Sequence, residues 1–305
     1  MDTEKAKKKL RGPDIGLHQA KRLCQLPERE RLLFIAEGLP VILDSAQSFW
    51  KAAQQLSNHH REAEVLRGFA EEEAAKILIL MDVVRCPPKL IASKLGKLVD
   101  WFYDHLARLI YAQAVTWKPM HLAQLREYVD RRRRGHELEG YAGEYILPNW
   151  TVYQRESRLY TDIEAYQDGS LGWNSPCATY RSSSAAGLTS MFDRTPHALR
   201  VAEAMQHLGL FTVQGLRATS EIWGSLEYRE KENHLDGEKL AEQLLTRAKD
   251  EGLILDTAQQ AHAATLYREW QIPMYNLDLS LIPVPFEELL AEQEREYWSV
   301  AGDPR

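Results

Sequence analysis

From Leu32 to Leu56 the apolar side chains recur at steps of three and four: Leu32, Ile35, Leu39, Ile42, Ala46, Phe49, Ala53 and Leu56. An α-helix brings residues back to one face at that spacing, so this stretch predicts a single amphipathic helix of roughly seven turns. Pro40 falls inside the stripe. Its missing N–H predicts a kink there, or two helices meeting. A second helix is expected from about Arg61 to Arg85, ended by Pro87 and Pro88, with the stripe Leu66, Phe69, Ala70, Glu73, Ile77, Leu80, Val84. After Ala74 it is apolar nearly all round, which marks a central helix. A third is expected from Ile91 to Val115, with His105 in its apolar stripe, and a fourth from Pro119 to Arg134.

The glycines at 135, 140 and 143 and Pro148 then mark an irregular segment and a domain boundary. Beyond it, helix starts are expected at Thr195-Pro196, Asp236, Asp256 and Pro285, and helix ends at Gly209 and Gly252. A short extended piece fits between Ile272 and Val284. The expected fold class is therefore all-α. Residues 1–26 read as a basic, mobile tail, 27–148 as a helical bundle, and 149–305 as a second, mainly helical region.

Composition narrows the function classes. The formal charge of −6 excludes a molecule that is basic overall, so contact with nucleic acid needs a local patch. Cys24, Cys86 and Cys177 are widely spaced and odd in number, which argues against a disulfide framework or structural zinc and for a reducing cytoplasm. No signal-peptide pattern is seen, and the apolar stretch Ala74 to Val84 is too short to span a bilayer. No cofactor or metal is expected. A carboxylate–histidine metal site would need a Glu-x-x-His pattern, which is missing around Glu71 to Lys76, and Lys76 would repel a cation.

Two groups of residues can carry chemistry. Glu72 and Glu73 lie four and three residues before Lys76, at the point where the second helix turns apolar. A charge entering a core needs a partner, so Glu72 or Glu73 is expected to hold Lys76. If the second and third helices form a hairpin, Glu73, Lys76 and His105 converge in one polar cavity, with Arg108 one turn beyond His105. A histidine that exchanges protons beside cations that stabilise negative charge suits phosphate chemistry. The bland alternative is a helix-surface ion pair and a core histidine. The second group is the run Arg131, Arg132, Arg133, Arg134 with His136. It reads either as a solvated helix end or as a phosphate-binding patch.

The segments Phe34-Ile-Ala-Glu37-Gly38-Leu39, Asp44-Ser-Ala46, Ala70-Glu-Glu72-Glu73-Ala-Ala-Lys76 and Asp104-His105-Leu-Ala-Arg108 resemble the AbiV-type abortive-infection proteins, a branch of the HEPN superfamily. The resemblance covers about residues 28 to 140. It implies an up-down helical bundle, a homodimer, and a role in phage defence. Many HEPN relatives are metal-independent ribonucleases that use an Arg and a His with four to six residues between them. That spacing recurs at Arg11 with His18, Arg131 with His136, Arg200 with His207 and Arg229 with His234. Only Arg131 with His136 falls where the resembling region ends its helices. Two functions are therefore carried forward. One is an RNA-binding ribonuclease with His105 or His136 as acid or base. The other is a non-catalytic sensor or adaptor for a phage or host protein, acting in the cytoplasm without a membrane.

Overall fold

The chain folds as an all-α protein. The computed structural model describes residues 17–56, 58–139, 141, 143, 145–165, 170–174, 176, 195–270 and 272–301. Arg11, Cys177 and most of the expected basic tail lie outside these residues. After a 3-10 turn (Lys21–Gln25) come α1 (Glu28–Gln55), α2 (His60–Arg85), α3 (Pro88–Tyr103), α4 (His105–Ala114) and α5 (Leu122–Arg132). The hairpin β1 (His136–Glu139) and β2 (Tyr145–Pro148) leads to α6 (Trp150–Leu159). A second hairpin, β3 (Asp162–Ala165) with β4 (Leu171–Asn174), precedes α7 (His197–His207), α8 (Val213–Trp223), α9 (His234–Asp250), α10 (Gln260–Glu269) and α11 (Phe286–Ala301). Both hairpins are antiparallel, pairing His136 with Pro148 and Asp162 with Asn174 at their open ends.

The long stripe forms one helix, α1, which continues through Pro40. Pro40 faces solvent, where the carbonyl it leaves unbonded can be hydrated. Leu32, Ile35, Leu39, Leu43, Ala46 and Ala53 are buried along α1. By length and composition alone α1 is apolar enough to cross a membrane, although a buried core helix has the same composition. Residues 17–26, read as part of the mobile tail, instead include helical turns, and Leu17, Ala20 and Leu23 pack on the core.

The expected third helix is two. It breaks at Asp104, whose backbone is extended (φ −86°, ψ 126°) and whose side chain accepts from the Ala107 N–H at 2.8 Å as the N-cap of α4. Aspartate at an N-cap satisfies an amide that a helix start leaves open, and that local bond competes with helix continuation. The break resets the helical phase. Leu106, Ile110 and Tyr111 are buried after it, rather than a stripe through His105.

Other ends follow local chemistry. Asn233 caps α9 with Asp236 in a reciprocal capping box, so the start lies three residues before the expected one. Gly209 (φ 76°) ends the turn after α7, and a Cβ there would lie 2.1 Å from the Leu253 carbonyl oxygen. The stretch 272–284 holds a bridge pairing Arg134 with Ile282 in parallel register.

Helices on both sides of residue 148 share one core. Ile77, Ile79 and Met81 of α2 belong to the same buried cluster as Leu199, Ala202 and Met205 of α7 and Trp223 of α8. A polar network crosses it. Asp82, fully buried, accepts from Arg85 Nε at 3.0 Å, Tyr111 Oη at 2.8 Å and the Met274 N–H at 2.7 Å. The Arg85 guanidinium lies 4.7 Å from the Trp223 ring centre and 4.3 Å from that of Trp270. Both oxygens of Asp82 are thereby bonded, which offsets the cost of burying the ion pair.

Candidate active site

Glu72, not Glu73, is the buried carboxylate of α2; its side chain is 5 % exposed. One residue is a rotation of 100° on a helix, which turns Glu72 toward α4 and α6 and leaves Glu73 on another face. Glu72 Oε2 lies 2.8 Å from His105 Nδ1 and 3.4 Å from Arg108 Nη1. Its other oxygen accepts from Arg155 Nε of α6 at 2.6 Å. Arg155 also donates to Glu156 at 2.7 Å. Arg108 Nη2 lies 2.8 Å from the same His105 Nδ1.

His105 is the first residue of α4 and half exposed, at 53 % of its side chain. It is therefore not the stripe histidine expected from sequence; the break at Asp104 places it at a surface corner. Glu73 and Lys76 pair with each other, and Lys76 sits 5.4 Å from the centre of the Phe102 ring. No contact joins them to His105 among the described residues. The expected convergence of Glu73, Lys76 and His105 is replaced by Glu72, His105, Arg108 and Arg155. Nothing in the sequence linked Arg155 to Glu72, because the two residues are 83 apart.

The arginine run divides. Arg133 bonds Asp130 at 2.8 Å and the Ser280 carbonyl at 3.1 Å. Arg134 holds Glu292 with Nη2 at 3.0 and 3.1 Å from its two oxygens. Both therefore serve to dock 280–292 against α5. Arg131 is exposed. With Arg132 and Arg134 it lines a cavity of about 480 Å³ that also contains Glu137, Glu292 and Glu296, so the patch is mixed in sign. His136 is exposed on β1 and does not join His105.

The electrostatics of the first group favour a charged Glu72. Burial pushes its carboxyl pKa up, but hydrogen bonds from His105 and Arg155 and the charge of Arg108 outweigh this and hold it below the ordinary value. Desolvation lowers the Arg155 pKa, and the bond and charge of Glu72 more than reverse that. The His105 ring then has two Nδ1 neighbours of opposite kind. Protonated, Nδ1 donates to Glu72; bare, it accepts from Arg108. With Nδ1–H donating to Glu72, the lone pair of the neutral ring is on Nε2, which can then act as a base.

Among the described residues no group of three or more His, Cys, Asp or Glu is placed to hold a metal ion. No family model, curated protein or solved structure matches this chain.

Proposed function

We propose that this is a HEPN-like, abortive-infection protein of phage defence that cleaves RNA without a metal, with His105 as its proton-transfer residue. The observation that carries the reading is the Glu72–His105 contact. A buried carboxylate orients a half-exposed imidazole by Nδ1, with two arginine side chains beside it.

His105 Nε2 takes the proton of a ribose 2′-hydroxyl as that oxygen bonds to the adjacent phosphorus. The imidazolium so formed is stabilised by Glu72. In this reading Arg108 and Arg155 are the cations that offset charge growing on the phosphoryl oxygens. The bond from phosphorus to the 5′ oxygen then breaks, and that oxygen leaves with a proton from water. The products are a 2′,3′-cyclic phosphate and a 5′-hydroxyl, and His105 returns its proton to solvent. Arg131 and Arg132 offer further backbone contacts. The family resemblance adds a homodimer and a cytoplasmic setting.

A second reading is supported by the completeness of the Glu72 pairing. Both its oxygens are bonded by side chains from other helices, which also suits a structural lock in a non-catalytic adaptor for a protein partner. The two differ at His105, whose exposed ring adds little to packing. Cleavage of a labelled RNA by the pure protein in chelator is expected, falling about 100-fold or more in a folded His105→Ala variant. RNA left intact by the wild-type protein, with and without phage lysate, rejects the ribonuclease reading.

A further inference from the structure

The arrangement at Glu72, His105 and Arg108 occurs a second time. His197 is the first residue of α7, Arg200 stands three residues on, and Glu269 comes from the neighbouring α10. Arg200 Nη2 lies 2.6 Å from His197 Nδ1 and 2.9 Å from Glu269 Oε1, and Glu269 Oε2 lies 3.3 Å from the same Nδ1. As at His105, the ring is held by Nδ1 and its side chain is about half exposed, at 46 %. This copy borders a cavity of about 460 Å³, within the range of small-ligand sites.

The cavity walls divide by chemistry. Lys118, His197 and His234 supply nitrogen donors, whereas Val115, Pro119 and Tyr267 supply apolar surface. Lys118 donates to the Arg268 carbonyl, which fixes its ammonium at the rim. His234 Nδ1 is buried without a hydrogen-bond partner among the described residues, an arrangement that costs free energy until something bonds it. Glu269 is already engaged by Arg200 and His197. Glu238 is the remaining acid of the wall and can accept from a hydroxyl.

We infer that this cavity is a second binding site, for a nucleoside monophosphate. Its phosphate would be held by Lys118 and His197, its base against Tyr267, and its ribose hydroxyls by Glu238. A cluster of cations alone would suit free phosphate equally; the aromatic and apolar wall beside it is what favours a nucleoside attached to that phosphate. The site stands apart from the cleavage reading, because its test measures binding and not turnover.

Calorimetric titration of the full chain with adenosine 5′-monophosphate, adenosine and inorganic phosphate tests it. The monophosphate is expected to bind about tenfold or more tighter than either fragment. Lys118→Gln and His197→Gln are each expected to weaken it about tenfold or more. Lys118 is exposed, so its variant is expected to fold, and a circular dichroism spectrum checks this. Binding of the monophosphate no tighter than inorganic phosphate overturns the nucleoside assignment. No binding at all, or binding unchanged in both variants, overturns the site.

Discussion

Glu72 is the residue on which the candidate site turns, and its chemistry makes a pH-dependent statement. Its folded-state pKa lies below the ordinary carboxylate value. The stability it contributes is therefore present above that value and is lost as pH falls through the folded pKa. Replacing it by alanine leaves Arg108, largely buried, without its carboxylate and Arg155 with Glu156 alone. Glu72→Ala is expected to lose about 3 kcal/mol at neutral pH. In urea unfolding, the gap from wild type should narrow as pH drops below the carboxylate range; a gap constant from pH 7 to pH 3 contradicts the pairing. Cys86 illustrates the opposite case. Burial, with Asp82 adding to it, pushes its thiol up to about 12, so at neutral pH it stays protonated and unreactive.

At the scale of elements, the break between α3 and α4 decides where the histidine goes. The bond from Ala107 N–H to Asp104 both starts α4 and sets the direction in which His105 leaves the bundle. Asp104→Ala is expected to lower stability by about 1 kcal/mol, the usual worth of an N-cap. RNA cleavage should fall further than stability, because a continuous helix would rotate His105 away from Glu72. Thermal unfolding and a cleavage assay on the same sample separate these effects. α2 carries three polar groups on different faces: Glu72 toward α4 and α6, Glu73 with Lys76 beside Phe102, and Asp82 with Arg85 in the core. A stripe analysis that assigns one buried face to a helix cannot separate these, because α2 is enclosed on nearly every side.

For the molecule as a whole, the buried contacts around Asp82 matter most. They join α2 and α4 to Trp223, Trp270 and the Met274 backbone, so the two halves of the chain complete each other's packing. Asp82→Ala would leave the Arg85 guanidinium, 4 % exposed, without its carboxylate. A loss of about 3–5 kcal/mol is expected. Wild-type unfolding should be a single transition, with tryptophan fluorescence, to which both halves contribute, coinciding with far-ultraviolet dichroism. Two separated transitions would show that the halves fold independently.

The linear order of residues determined the helical class, the core face of α1, the central position of α2, and the glycine ends at 209 and 252. Each of these depends on periodicity or on a residue's own backbone preference, which act within a turn or two. Tertiary structure decided that Glu72 rather than Glu73 is buried, that Arg155 reaches it across 83 residues, that Arg133 and Arg134 tie down 280–292, and that His197 repeats the setting of His105. These outcomes depend on which helix lies opposite which. A rotation of one residue, about 100° on a helix, changes the partner completely while leaving the apolar pattern almost unchanged. The feature that positions His105 was local all along: Asp104 is an ordinary helix cap, and its effect on the histidine beside it became evident only when the helix was seen to stop there.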